Sequence, residues 1–182
     1  MTNILSNLKG GDRRSIGNVG AVVAAVGKKP DLFKNLVGGL FDPDPIVRIR
    51  AADAMEKCSA EDRRLLQPFK SKLVGLAQQT GQQELRWHLA QMIPRLDLTP
   101  GETNSVTDIF IDYLTDDSKI VVTFAMQALT DLAVKKTTVS TRVLNALENL
   151  TRTGSPAIKA RGKKLLPRLK KLPQIRSKTK KI

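Results

Sequence analysis

Residues 42–58 read DPDPIVRIRAADAMEKC, and most of the chain repeats their pattern. Asp44 is a good N-cap, because its carboxylate can accept the unpaired backbone N–H groups of a first helical turn. Pro45 follows at the first helical position, where its missing N–H costs nothing. Val47, Ala51, Ala54, Met55 and Cys58 then recur at the spacing of one helix face, while Arg48, Arg50, Asp53, Glu56 and Lys57 fall elsewhere on the circumference. The stretch reads as a turn, a capped start and one helix with a narrow apolar stripe.

Aligned on Val47, the pattern returns at Leu85, Val121 and Ile158, with 38, 36 and 37 residues between successive anchors. The Ala51 position becomes Leu89, Ala125 and Gly162. The Ala54–Met55 pair becomes Met92–Ile93, Ala128–Leu129 and Leu165–Leu166, and Cys58 becomes Leu96, Leu132 and Leu169. The tetrapeptides Ile93-Pro94-Arg95-Leu96 and Leu166-Pro167-Arg168-Leu169 match in register, and a looser copy starts at Ile16. A period of this length in helical sequence signals an α-solenoid.

The run Asp44-Pro45 to Val47-Arg48, with Ala51-Ala52-Asp53-Ala54-Met55 behind it, resembles the second helix of a HEAT repeat. That pattern has a turn Asp, a Val-Arg pair and small residues followed by Ala-Leu. The resemblance spans roughly residues 13–172. It departs from the pattern at Val122, where Arg is expected, and at Gly162, where Ala is expected. It implies an all-α fold, a right-handed α-α superhelix of about five antiparallel helix pairs. One domain over 1–172 would hold repeats near 1–27, 30–60, 62–97, 99–136 and 138–172, followed by a basic, disordered tail over 173–182. It also implies that the second helices line the concave side.

A chain of 182 residues is long enough to bury a core without metals or disulfides. Five Phe, one Tyr and one Trp leave that core to aliphatic residues. The lone Cys58 excludes an intrachain disulfide and a multi-cysteine metal site, and its place on the apolar stripe makes it a small buried hydrophobe. The longest apolar run, Val19 to Val26, is too short to span a bilayer, and the N-terminus lacks a signal-peptide pattern. The expectation is a cytoplasmic protein with no cofactor and no membrane contact. The net charge of +14 is unevenly placed: residues 149–182 hold 12 Lys and Arg and no acid, whereas all 17 acids lie before them.

Along the chain, a short helix is expected over Thr2–Lys9 and another over Arg14–Val26. Helices are expected over Pro30–Leu40, Asp62–Gln79 and Glu84–Leu96, the last two split by Thr80-Gly81. Thr99-Pro100-Gly101-Glu102 has the form of a capping box. Ser15, Ser118 and Ser155 read as caps rather than nucleophiles. The glycine-rich stretch at residues 17–27 lacks the preceding strand and the spacing of a dinucleotide-binding loop.

Off the apolar stripe, three offsets share one helix face. Arg50, His88, Phe124 and Arg161 stand three residues after each anchor. Asp53, Gln91, Gln127 and Lys164 stand six after, and Lys57, Arg95, Asp131 and Arg168 ten after. From these rows the candidate partner-binding residues are Arg50, Lys57, His88, Arg95, Arg161, Lys164 and Arg168. Trp87 joins them, as either an exposed anchor or the cover of a seam between repeats. Arg48, Arg86 and Lys159 sit one position after the anchor, where the resemblance implies a structural ladder to turn carboxylates. The expected function is a non-enzymatic scaffold binding a protein. The alternative is a nucleic-acid-associated protein contacting phosphates through Lys163, Lys170, Lys171, Arg176 and Lys178. A HEAT-like DNA glycosylase is a remote third possibility, since Asp53 and Asp131 stand at only loosely comparable depths to Trp87 and the rest of that pattern is missing. A single His without acidic or Cys partners at ligand spacing makes a poor metal or catalytic residue.

Overall fold

The computed structural model describes residues 4–10, 15 and 17–175. Its helices are α1 (Val19–Lys28), α2 (Phe33–Gly39), α3 (Pro45–Glu61), α4 (Lys70–Gln79), α5 (Gln83–Met92), α6 (Pro100–Tyr113), α7 (Lys119–Lys136), α8 (Thr141–Thr153) and α9 (Pro156–Leu169). Single 3-10 segments occupy Ile4–Leu8, Pro30–Leu32, Arg63–Phe69 and Ile93–Arg95. The fold is all-helical apart from a two-residue parallel bridge between β1 (Val139–Ser140) and β2 (Gln174–Ile175). That bridge orders the start of the tail expected to be disordered from 173. Within the first expected repeat, residues 1–3, 11–14 and Ile16, where the looser copy starts, lie outside the described residues.

The caps form as their chemistry dictates. The Asp44 carboxylate accepts from the Ile46 N–H at 2.8 Å, with Pro45 at the first helical position. The box at Thr99 closes in both directions, Glu102 N–H to Thr99 Oγ1 and Thr99 N–H to the Glu102 carboxylate. Ser118 caps α7 through the Val121 N–H. Ser155 does not cap: it precedes α9, but its hydroxyl is buried without a hydrogen-bond partner.

Prolines reset two expected helices. Pro68 has no N–H to continue an α-helix and its ring crowds the carbonyl four residues back, so the expected helix over 62–79 becomes a 3-10 segment followed by α4. Pro94 likewise ends α5 at Met92. Pro167, at the matching place in the sequence, stays inside α9.

The chain divides into two compact units, Met1–Asp97 and Leu98–Ile182, where the sequence suggests one domain over 1–172. The division falls between the third and fourth expected repeats. In the first unit α3 packs against α1, α2 and α5, and α4 packs on α5. In the second α7 packs against α6 and α9, and α8 packs on α9. The anchors Val47, Leu85, Val121 and Ile158 are all buried, as are Ala51, Ala54, Met55 and Cys58 behind Val47. Each large aliphatic side chain so buried is worth about 1.5–3 kcal/mol relative to exposure.

Two glycines allow helices to approach closely. A Cβ on Gly39 would lie 2.8 Å from Leu5 and 2.9 Å from Ala51. A Cβ on Gly162 would lie 1.8 Å from Thr151 Oγ1 and 2.8 Å from Thr151 Cβ, so the departure from Ala at this position follows from the contact between α8 and α9. Thr151 is held in place by its hydroxyl donating to the Leu147 carbonyl at 2.6 Å. Gly162→Ala gains about 1 kcal/mol of helix propensity but overpacks this contact, at a cost of about 1–3 kcal/mol. The variant is expected to unfold at lower urea than the parent, and adding Thr151→Ala is expected to recover part of the loss.

Candidate functional site

In the first unit, the offsets that should face a partner divide into exposed and occupied positions. Arg50 is 2% exposed. Its guanidinium donates to the Leu8 carbonyl at 2.8 Å, to the Ser15 carbonyl at 3.1 Å and to the Gly10 carbonyl. Gly17, at φ +53°, passes so close that a Cβ there would meet the guanidinium at 3.0 Å. Arg50 therefore fastens the segment before α1 and is not a surface residue. These carbonyls lie in the loosest of the expected repeats, so the period of the sequence carries no sign of the contact.

His88 is buried at 9% exposure, with its ring 5.8 Å from that of Trp87. It is also withdrawn from the surface expected for it. Its Nδ1 has no hydrogen-bond partner among the described residues. Burial lowers its pKa, while the charges of Asp53, Glu56 and Glu84 pull it upward and Lys57 adds to the lowering. Trp87 itself is half-buried.

Arg95 donates to the Glu56 carbonyl at 2.8 Å, to Ser59 Oγ at 2.7 Å and to the Glu56 carboxylate. It thus ties the end of the third repeat to α3. Lys57 is exposed and pairs with Asp53 at 2.7 Å. At the positions expected to form the ladder, Arg48 and Arg86 each reach a backbone carbonyl. Arg48 reaches the Asp42 carbonyl at 2.8 Å and Arg86 the Thr80 carbonyl at 2.8 Å, each six residues back. Arg48 also donates to Gln82 Oε1 at 2.8 Å, across to the next repeat.

In the second unit the rows meet one another. Arg161 lies over the Phe124 ring, 5.9 Å from its centroid, and donates to Gln127 Oε1 at 3.0 Å. Gln127 donates to Asp131 at 2.9 Å, and Arg168 approaches the same carboxylate at 3.7 Å. Sequence reading missed this network, although the four-residue spacing of Gln127 and Asp131 signals it. Lys170 pairs with Glu148 at 2.9 Å. Lys163, Lys164 and Lys171 are exposed. Arg176 and Lys178 lie outside the described residues.

Among the described residues no group of three or more His, Cys, Asp or Glu side chains is placed to hold a metal ion, and no helix is long and apolar enough to cross a membrane. Burial pushes the Cys58 thiol up to about 11, which leaves almost no thiolate at neutral pH. The native protein is expected to resist a thiol-specific disulfide reagent until denaturant is added, when Cys58 should react within the mixing time.

His88 gives a pH test. Its native pKa lies below its ordinary value of about 6.5, so below that pH the unfolded chain takes up a proton that the native state resists. Stability should therefore be unaffected by this group above about pH 7.5 and should fall as the pH drops through about 6.5. Urea midpoints measured across that range are expected to decline for the parent and to decline less for His88→Gln.

Compared with models of known protein families and with curated proteins, the chain matches none. Its functional reading rests on its own geometry.

Proposed function

We propose that the chain is a non-enzymatic binding module, an α-solenoid of HEAT type that holds a protein partner on the surface formed by its second helices. One observation carries this reading: within each unit, neighbouring second helices are tied together at like positions. Arg95 reaches Glu56, Arg161 reaches Phe124 and Gln127, and Arg168 reaches Asp131. A surface fixed in this way is ordered before its partner arrives, and pre-ordering lowers the entropic cost of association.

The cations that do the tying are poor candidates for contact, so the proposed contact residues in the first unit reduce to Trp87 and Lys57. A half-buried Trp offers a large rigid apolar area, the commonest kind of interface anchor. Catalysis by carboxylates finds less support, since Asp53 is paired with Lys57 and Asp131 accepts from Gln127.

The test is affinity purification from the native host with the full chain as bait, comparing the parent with Trp87→Ala and with Lys57→Glu. A protein recovered with the parent and depleted at least several-fold with both variants is the expected result. Equal recovery by all three baits would remove this surface from the reading, and release of alkylated bases from treated duplex DNA would replace it with an enzymatic one.

A further inference from the structure

The positive charge of the second unit is sorted by position around α9. From Asn149 to Ile175 the chain holds eight Lys and Arg and no Asp or Glu. The inner side of α9 is buried through Ile158, Gly162, Leu165 and Leu169, against α7 and α8. On one flank Arg161 and Arg168 turn to Gln127 and Asp131 of α7, and on the other Lys170 turns to Glu148 of α8. Opposite the buried side, 3.6-residue periodicity places Lys163 and Lys164, with Lys171 just past the helix end continuing the same side. All three are exposed, and none has a carboxylate within ion-pair distance among the described residues.

We propose that this crest is a contact surface for the phosphate backbone of duplex nucleic acid. Three features of the crest choose that occupant. The exposed apolar residues of α9 are only Pro156, Ala157, Ala160 and Pro167, so the crest lacks the aromatic or large aliphatic anchor of a protein interface. The same lack removes the apolar face that would enter a membrane, because Leu165 and Leu169 are buried and Leu166 is only partly exposed. With no exposed aromatic ring on α9 there is also no platform on which single-stranded bases could stack. What remains is a line of compact, hydrated point charges. Lys163 to Lys171 spans about 12 Å of helix, a length over which one strand of a duplex carries about three or four phosphates. The binding would be salt-sensitive and would carry little sequence information.

This surface lies on a different unit from Trp87 and Lys57 and does not rest on the protein-binding reading. The experiment is fluorescence anisotropy of a labelled duplex DNA of about two helical turns, titrated with the full chain at several salt concentrations between about 50 and 200 mM. The parent is expected to bind, with affinity falling steeply as salt rises. Lys163→Gln/Lys164→Gln/Lys171→Gln is expected to weaken binding at least tenfold at the lowest salt, and to flatten the log–log salt slope by about 2–3. Lys28→Gln/Lys34→Gln/Lys72→Gln removes the same charge from exposed positions of the first unit and is expected to bind as the parent does. Trp87→Ala should also leave binding unchanged. No binding by the parent at the lowest salt would overturn the proposal, as would equal weakening by the two triple variants. Polyglutamate or phosphatidylserine vesicles competing as well as unlabelled duplex would overturn the choice of nucleic acid.

Discussion

Each second helix in this chain must bury a single narrow stripe against two kinds of neighbour at once, its own partner helix and the adjacent second helix. The helix α3 does this against α2, α1 and α5, with Val47, Ala51, Ala54, Met55 and Cys58 all buried. Small residues in the middle of the stripe set how closely the neighbours come, and close-packed interiors tolerate little change in that volume. The same constraint in the second unit is met by a glycine, since at Gly162 even a methyl group would collide with Thr151. The polar edges of the helices follow from this packing. Once neighbouring second helices lie side by side, long side chains at their edges come within reach of the next repeat's carbonyls and carboxylates.

That reach explains why many cations that look available in the sequence are occupied. The separations are nearly constant: Arg48 to Gln82, Arg161 to Gln127 and Arg142 to Asp108 each span 34 residues. Arginine suits such links, because its planar fork can satisfy two or three acceptors from one position. Arg95 does so on the Glu56 carbonyl, the Ser59 hydroxyl and the Glu56 carboxylate, and Arg50 does so on three backbone carbonyls. Removing such a group leaves buried acceptors unpaired, which costs about 1–3 kcal/mol each. These arginines are therefore parts of the scaffold first.

The periodic features of the molecule were legible in its sequence and the aperiodic ones were not. Helical spacing identifies Val47, Leu85, Val121 and Ile158 as equivalent buried positions because burial of a stripe leaves a 3.6-residue signature. Caps were legible for the same local reason, as at Asp44 and at the Thr99–Glu102 box. Spacing tells which side of a helix is polar but not what lies over it. Arg50 and His88 share an offset with Arg161, yet both are buried and Arg161 is only partly so. Arg50 is covered by the carbonyls of Leu8, Gly10 and Ser15, a contact that the repeat period does not encode. The bridge from Gln174–Ile175 to Val139–Ser140 was hidden too, because two residues are too few to carry an alternating pattern.

The division of labour between arginine and lysine connects the packing to what the surface can do. In α9 both arginines face α7 and find acceptors there, while the lysines on the crest face water. A lysine on the surface loses little by waiting unpaired, since its ammonium is compact and well hydrated and its stem is flexible. An arginine pointed outward would forgo the two- or three-fold acceptors that the adjacent repeat supplies. The acids of the second unit that could neutralise the crest are already claimed, Glu148 by Lys170 and Asp131 by Gln127 and Arg168. The excess charge at this end of the chain is thus left by a packing scheme that uses its carboxylates internally. A field of one sign raises the local concentration of opposite charge, which is the physical basis of the contact proposed for the crest.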